Sequence, residues 1–407
     1  MTDEATDPMS DETATMVGLY RNEMMSAADR SGPQPGYLQL LEESGGISCP
    51  FPGFVQAVSR EAVVTVLGDR QNFSSAGTME LGNIRPMIPL QIDPPEHSKF
   101  RKLLDPLFAP KVMDAAEADL TQRINYFIDK FIDRGECNFT DEFAELFPSA
   151  VFLGLMGLPW EELDTFLRLR DGILRVAGVD LTLEEMLAKQ KETGKEIYEY
   201  FGQFLDDRER NPQDDILTHF LQADVDGDRL TREDILDICF LFLIAGLDTV
   251  SDSLTCFFAY LAQHPEQRQL IVDDASIIPN AVEELLRWET PVPGGVPRKA
   301  LKDTEVCGFA IEAGTMVLPG YGTANVDPAE FPDGFEVRFD RESNPHIAFG
   351  AGIHRCLGSH LARRELRLTL REWHRRIPVY GLKPGHEELV YPPGLRSVKD
   401  LMLSWPI

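Results

Sequence analysis

The chain has 407 residues, 43% of them hydrophobic, and a formal net charge of −28 at pH 7. Such an excess of negative charge disfavours nucleic acid and anionic membrane surfaces as partners. The longest apolar run, residues 238–247, is too short to cross a bilayer. The six cysteines are scattered without paired spacing, which is typical of a reducing compartment. We therefore expect a soluble cytoplasmic protein with no nucleic-acid partner and no membrane anchor.

The composition shows no boundary inside the chain. No Pro-, Gly- or Ser-rich linker and no internal repeat divides it, and much of the sequence has helical periodicity. The N-terminal stretch is acidic and rich in Thr, without the basic and apolar regions of a signal peptide. We expect a disordered acidic N-terminus over residues 1–20 and a single, mainly helical domain over residues 21–407.

Residues 71–92 are rich in Gly, Pro and Ser, which predicts an irregular loop. Long ordered loops often line binding sites. Met87 is therefore a candidate for the wall of a pocket, with packing of the loop itself as the alternative. Arg85 is either a solvated surface residue or points inward, where its charge would require a partner.

The segment that begins at Asp93 predicts the start of a helix. Asp93 can cap the helix, and the two prolines that follow it are tolerated in a first turn. His97 and Arg101 are four residues apart and therefore lie on one helix face. A solvated polar face is the alternative to a binding role for this pair.

The longest helical pattern starts at a capping box, Thr231 to Asp234, and continues to His264, which precedes a proline. This length predicts a helix that crosses the whole domain, about 1.5 Å per residue. It is the element on which the rest of a large helical domain would pack.

The middle of this helix contains polar residues in an apolar setting. Gly246 and Asp248 both cost stability there. The Thr249 hydroxyl can donate to the Ala245 carbonyl four residues back and bend the helix, which would open a groove beside Gly246 for a small molecule. A simple kink with a buried, satisfied Asp is the alternative.

A further pair lies C-terminal to this helix. Glu284 and Arg287 occupy adjacent helical turns, which taken alone is a common surface ion pair. Arg298 follows a segment of Pro, Gly and Val, residues 292–297.

A glycine-rich loop that we call the cysteine loop runs from Phe349 to Gly358 and contains Gly350, His354 and Cys356. A helix start follows it. A helix N-terminus and loop N–H groups lower the pKa of a thiol and donate to its sulfur, which suits an iron ligand. One alternative is a small buried hydrophobe. Another is a partial zinc site of His354, Cys356 and His360, although zinc usually takes four ligands with paired spacing.

These motifs, in this order, resemble the cytochrome P-450 family, and residues 246–250 are similar to the matching segment of the bacterial camphor hydroxylase. The resemblance covers nearly everything from about residue 50 to the end. It implies a mainly α fold with small β-sheets in one triangular-prism domain. It also implies haem b (iron protoporphyrin IX), bound between the long central helix and the helix after the cysteine loop.

The resemblance implies a role for each candidate residue. Cys356 is the axial ligand of the haem iron, and Asp248 and Thr249 are catalytic residues that pass protons toward dioxygen. Glu284 and Arg287 form a buried structural network. The cofactor-binding residues are His97, Arg101, Ala245, Gly246, Arg298, Phe349, Gly350, His354, Cys356 and Gly358. The substrate-binding residues are Arg85, Met87, Leu241, Ile244 and Val296.

The implied activity is O2-dependent monooxygenation. We expect a monomer that hydroxylates a small-to-medium hydrophobic substrate (a terpenoid, branched lipid or fatty acid), with electrons from an iron–sulfur ferredoxin and its reductase. A haem-thiolate peroxygenase or a non-catalytic haem sensor is the alternative. Arg85 stands where the camphor hydroxylase has a tyrosine, which argues against a camphor-like ketone. An inward Arg85 would favour a substrate carboxylate, and an outward one a neutral substrate.

Overall fold

The computed structural model describes residues 30–176, 181–225 and 227–407. The segment expected to be disordered, residues 1–20, lies outside the described residues, as do residues 21–29 of the expected domain. Within the described part, no helix is at once long enough and apolar enough to span a membrane.

Helices dominate the fold, in agreement with the periodicity of the sequence. In chain order the α-helices are α1 Gln34–Ser44, α2 Arg60–Gly68, α3 Glu96–Leu104, α4 Pro110–Ala115, α5 Glu117–Asp129, α6 Leu146–Met156, α7 Leu163–Leu174, α8 Leu183–Arg210, α9 Ile216–Gln222, α10 Arg232–Ala245, α11 Asp248–Gln263, α12 Pro265–Asp273, α13 Ile278–Glu289, α14 Tyr321–Ala324 and α15 Ser359–Arg376.

The strands are short. They are β1 Ile47–Phe51, β2 Phe54–Ala57, β3 Phe73–Ser74, β4 Glu136–Asn138, β5 Asp224–Val225, β6 Asp228–Arg229, β7 Arg298–Ala300, β8 Thr304–Val306, β9 Phe309–Ile311, β10 Met316–Pro319, β11 Gly381–Leu382 and β12 Met402–Ser404. The largest sheet has the order β1-β2-β10-β7-β3, and in it β2 and β10 run parallel. Arg298 in β7 lies opposite Val317 in β10. This sheet therefore fixes the backbone position of Arg298.

The core beneath the cysteine loop is built on aromatic rings. Trp373 of α15 is completely buried. Its ring meets those of Phe139, Phe143 and Phe258 at near-perpendicular angles, with centroids 5.2, 5.9 and 4.9 Å away. Phe258 belongs to α11. Because aromatic contacts of this kind add to the burial of apolar surface, they hold α15 against the second half of the central helix.

The central helix is interrupted where the sequence places its polar residues. The predicted capping box is present, since Thr231 Oγ1 accepts from Asp234 N at 3.1 Å and Asp234 Oδ2 accepts from Thr231 N at 2.9 Å. The structure corrects the expectation of one continuous helix. Gly246 and Leu247 separate α10 from α11. Their conformation breaks the helix, beyond the bend expected from Thr249 alone.

The start of α3 also differs from expectation. Its N-cap is Pro95, which has no side chain that can cap. The Asp93 carboxylate instead accepts hydrogen bonds from Ser75 N, at 3.0 Å, and from the Ser74 hydroxyl, while the Asp93 carbonyl accepts from His97 N. Asp93 therefore ties β3 and its following turn to α3.

The Glu284–Arg287 pair of α13 is a buried network, as the family resemblance implies. Both side chains are completely buried, and two hydrogen bonds of 2.9 and 2.8 Å join them. Arg287 also donates to the carbonyls of Asn325 and Gly334, and Arg341 donates to Glu284 at 3.0 Å. This network attaches the irregular segment before the cysteine loop to α13.

We predict that Glu284→Ala lowers the free energy of unfolding by about 3–5 kcal/mol, because it leaves a buried guanidinium without its carboxylate. Unfolding by urea, followed by circular dichroism, measures this change. The matched control is Asp340→Ala, which removes a carboxylate from the exposed pair with Arg338 and should change stability little. Equal stability of the two variants would contradict the structural role of Glu284.

Candidate functional site

Backbone hydrogen bonds close the cysteine loop. Cys356 N donates to Phe349 O at 2.9 Å, and Gly350 N donates to Ile347 O at 2.8 Å. Gly350 has φ +68°, and a Cβ atom there would lie 3.0 Å from the Tyr321 hydroxyl. The backbone conformation and the close approach of Tyr321 both require glycine.

The thiol of Cys356 is accessible although protein surrounds it on most sides, so it faces an internal space. Burial raises the pKa of this thiol. The N–H of Gly358 and the charges of Arg101, Arg355 and Arg363 oppose that rise. Donors and cations around a sulfur stabilise its thiolate form beside a metal ion. The environment of Cys356 therefore fits a ligand of iron.

Four basic side chains converge beside the cysteine loop. His97 and Arg101 come from α3, Arg298 from β7, and His354 from the loop itself. The rings of His97 and His354 are 4.3 Å apart between centroids. The pKa of His354 is lowered to about 3, mainly by burial. The nearby basic groups Arg298, His97 and Arg101 contribute to the same decrease. The structure thus brings together four of the residues that the resemblance assigns to cofactor binding, and in the family such basic residues hold the haem propionates.

These basic groups have little negative charge around them. Arg101 pairs with Asp105 at 2.8 Å. In the part of the chain that the structure describes, Arg298, His97 and His354 form no ion pair with a carboxylate, and His97 Nε2 is buried without a hydrogen-bond partner. Burial lowers the pKa of Arg298. Within the described residues, Arg298 is a buried cation without a counter-charge, and His97 Nε2 lacks a hydrogen-bond partner. A group with two carboxylates, as haem has, can supply both.

Open space also borders the interruption of the central helix. Ala245 is exposed, although Ile244 and Leu247 on either side of the break are buried. Thr249 is half-buried, and its hydroxyl donates to the Ala245 carbonyl at 3.2 Å as expected. A Cβ atom on Gly246 would instead lie 2.9 Å from the Phe152 ring. Gly246 therefore allows close packing of α6, while the space lies beside Ala245 and Thr249.

Asp248 lies behind this space and is paired with arginines of α7 and its C-terminus. Its Oδ1 is 3.1 Å from Arg170 Nη1 and 3.7 Å from Arg175 Nη2. Burial raises the pKa of Asp248, and the two guanidinium groups counteract that rise. Sequence reasoning missed both arginines. One signal was available, because Arg170 falls among Leu169 and other apolar residues on the buried face of α7.

Arg85 is half-buried and is paired with a buried carboxylate. Its Nε donates to both carboxylate oxygens of Asp237 in α10, at 3.1 and 2.9 Å, and its guanidinium lies 4.9 Å from the ring centroid of Tyr198 in α8. Asp237 is buried in an apolar part of α10. The sequence suggests either a solvated Arg85 or an inward Arg85 that pairs with a substrate carboxylate. The partner in the structure is instead a carboxylate of the protein itself.

The other candidate substrate contacts are apolar. Leu241 and Ile244 of α10 belong to the same core cluster as Met87. Met87 has no exposed surface, so its side chain packs into this core cluster. Val296 is half-buried, and its carbonyl accepts a hydrogen bond from Arg298 at 3.0 Å.

A metal centre built only from side chains has no support in the described residues, where no group of three or more His, Cys, Asp and Glu could hold a metal ion. An accessible thiol, a cluster of basic groups and a space beside Ala245 are what a flat, dianionic iron cofactor requires. The residues present fit haem.

Comparison with known proteins identifies the family. The model of the family described as "Cytochrome P450" matches residues 175–376. "Probable cytochrome P450 127A1" of Sinorhizobium fredii is 34% identical over 84% of this chain and 80% of its own length. "Mycinamicin IV hydroxylase/epoxidase" of Micromonospora griseorubida is 33% identical over 91% of this chain and 94% of its own length.

A solved structure gives the same result for the fold. The crystal structure of CYP109E1 from Bacillus megaterium in complex with testosterone superposes with a TM-score of 0.86 and 25% identity, covering 94% of this chain and all of that one. Sequence identity above 30% across most of two chains and the shared fold agree with the cysteine loop and its cluster of basic residues. The chain belongs to the cytochrome P450 family of haem-dependent monooxygenases.

Proposed function

We propose that this chain uses dioxygen to hydroxylate a neutral hydrophobic substrate, with electrons from an iron–sulfur ferredoxin. The observation that carries the proposal is the accessible thiol of Cys356 in a site that also contains the basic cluster and the space beside Ala245. When bound, haem supplies the activation of dioxygen, and a thiolate ligand favours cleavage of the O–O bond. Cys356 would hold the iron, and His97, Arg101, Arg298 and His354 would hold the propionates.

The protein would contribute the path of the protons. Thr249 borders the space beside Ala245, and Asp248 follows it on the same helix. We assign the Thr249 hydroxyl as the group that hydrogen-bonds oxygen and Asp248 as the group that passes protons toward that hydroxyl. Arg170 and Arg175 pair with Asp248 and counteract the rise in its pKa that burial causes, so transfer through Asp248 draws on a proton from a neighbouring acid or water.

The charge balance around Arg85 favours a neutral substrate. A substrate carboxylate would place a second anion on a guanidinium that Asp237 already neutralises. The structure of CYP109E1 with testosterone, a steroid without a charged group, supports a neutral substrate. We therefore favour a terpenoid, a branched lipid alcohol or ester, or a similarly apolar molecule over a free fatty acid.

Electrons would enter on the side of the cysteine loop. Lys102 of α3 and Arg355 of the loop are exposed there, and Lys99 lies on the same helix. A locally basic face on a chain with net charge −28 would guide a small acidic ferredoxin into position. We therefore retain ferredoxin with its reductase as the proposed electron donor, acting on a monomer in the cytoplasm.

The iron ligand is tested by Cys356→His. We expect this variant to lose the red-shifted Soret band that a thiolate produces when the reduced protein binds CO, because imidazole is a neutral ligand. The matched control is Cys49→His at an exposed cysteine, which should keep the band. A Cys356→His protein that retains the band would overturn the assignment.

Thr249→Ala tests the proton path. Positioned proton-transfer groups contribute about 10²–10⁴-fold to rates, so product formed per NADH consumed should fall by at least about tenfold, with peroxide released instead. Haem content and the substrate-induced spin shift should not change. Ser253→Ala, which removes a hydroxyl one turn further along α11, serves as the control. An unchanged product yield in Thr249→Ala would rule out its role in proton transfer.

The substrate class is tested by comparing a fatty acid with its methyl ester in titrations of the spin shift. We expect the ester to bind at least as tightly as the acid, and Asp237→Asn to increase the relative affinity for the acid about tenfold, equivalent to about 1.4 kcal/mol. Asp206→Asn, which removes an exposed carboxylate paired with Arg232, is the control. Tighter binding of the acid by the unmodified protein, lost in Arg85→Ala, would instead indicate a carboxylate substrate.

A further inference from the structure

A second buried carboxyl group follows Asp248 on the same helix. Asp252 is four residues further along α11, so the two side chains project from the same helix face on successive turns. Asp248 is 4% exposed and Asp252 is 7% exposed. Two neighbouring carboxyl groups in such a dry position cannot both be ionised without strong support from cations.

The arginines support Asp248 and its other partners. Arg170 donates to Asp171 at 2.8 and 2.6 Å and to Glu145 at 3.3 Å, and Arg175 donates to Glu145 at 2.6 Å. These contacts come in addition to their ion pairs with Asp248. Two guanidinium groups thus face three carboxylates before Asp252 is counted.

Asp252 itself has no such partner. In the described part of the chain its carboxyl group forms no ion pair and accepts no hydrogen bond that meets ordinary distances and angles. The Thr255 hydroxyl bonds to the Asp252 backbone carbonyl, at 2.9 Å. The charged and titratable groups near Asp252 are Asp248 and Cys256 of α11, Glu145 before α6, and Arg170 and Arg175 from α7 and its C-terminal end.

Burial is the largest cause that raises the pKa of Asp252 well above its ordinary value, and the charge of Asp248 adds to it. Arg175 and Arg170 act in the opposite direction. Burial also raises the pKa of the neighbouring Cys256 thiol, so that group stays neutral. One proton on Asp252 halves the excess negative charge of the cluster, from two to one.

The acceptor for this proton is close. Asp248 Oδ1 is buried and accepts no hydrogen bond of good geometry, even though Arg170 Nη1 lies 3.1 Å away. That oxygen can therefore take a proton without first breaking a hydrogen bond. Asp248 directly precedes Thr249 on α11, and Thr249 borders the space beside Ala245.

We propose that Asp252 is a proton-holding residue that acts through Asp248 and resupplies it with protons for the relay to Thr249. In this step the O–H bond of Asp252 breaks, an O–H bond forms on Asp248, and Asp252 is a carboxylate until water returns a proton to it. The inference deepens the proposed function and rests on the Asp248–Thr249 relay.

Infrared difference spectroscopy of the holoenzyme tests the protonation of Asp252 independently of activity. At neutral pH we expect a C=O stretching band of a protonated carboxylic acid that Asp252→Asn removes. Asp171→Asn, which removes a carboxyl group paired with Arg170 in the same cluster, should retain the band. A spectrum that Asp252→Asn leaves unchanged would overturn the proposal. If the amide of Asp252→Asn disturbs folding, Asp252→Ser serves as a second variant. The same loss of the band is expected in it.

The pH dependence of stability gives a second readout. The unfolded chain releases the Asp252 proton above about pH 4, whereas the folded protein retains it because the pKa is raised. The contribution of Asp252 to stability should therefore decrease as pH rises from about 4 toward neutral, so the stability of Asp252→Asn relative to the unmodified protein should rise over the same range. Parallel stability curves for the two proteins would contradict a proton held by Asp252.

Single-turnover kinetics separates this inference from the relay itself. Asp252→Asn should slow product formation about tenfold and alter its solvent isotope effect, while the spectrum of the reduced CO complex and the substrate-induced spin shift stay the same. If Thr249→Ala and Asp248→Asn reduce product yield but Asp252→Asn changes neither rate nor isotope effect, the role of Asp252 is wrong and the relay stands. If none of the three has an effect, the relay is wrong.

Discussion

Positive charge buried beside the thiol of Cys356 is the constraint on which the site depends. Arg298 is held by carbonyls of its own segment and has no carboxylate partner among the described residues. The tilted rings of His97 and His354 contact each other beside it, and a ring nitrogen of His97 has no hydrogen-bond partner in the described part of the chain. Such a cluster is costly without an anion. A bound dianionic cofactor stabilises the folded protein by relieving that cost, so cofactor binding and stability are coupled.

The central helix has a comparable coupling between packing and chemistry. Its interruption at Gly246 and Leu247 exposes Ala245 to the internal space and brings Asp248 against α7. The buried carboxylate would be unfavourable alone, and Arg170 makes it tolerable by pairing with it. A shift of α7 would therefore change the protonation of Asp248 as well as the packing of the core. The position of α7 is in this way linked to the supply of protons.

The wall of the proposed substrate site shows why the fold alone does not specify a substrate. The chain shares its architecture with relatives whose names or ligands point to different molecules. The Arg85–Asp237 pair joins the loop of residues 71–92 to α10, and Tyr198 adds α8 to the same contact. Asp237 thereby neutralises the charge of Arg85, which stands at the position where the camphor hydroxylase has a tyrosine. The neutral substrate that we propose for this chain rests on that pairing.

The amino-acid sequence by itself determined the features that depend on neighbouring residues. The capping box at Thr231, the glycines of the cysteine loop and the bond from Thr249 to Ala245 each involve a few consecutive residues, and local geometry leaves them few alternatives. The order of the motifs was enough to indicate the family, the fold and the haem.

Only the tertiary structure decided which distant side chains meet. Helical periodicity identifies the buried face of α7 but not the element opposite it, so it did not reveal that Arg170 pairs with Asp248. For the same reason Arg85 was left without a partner, and Asp93 was expected to cap α3 when it bonds to the turn after β3. The proton on Asp252 is the least local of these features. It depends on a balance of buried charges from three segments of the chain, and that balance exists only once those segments have packed together.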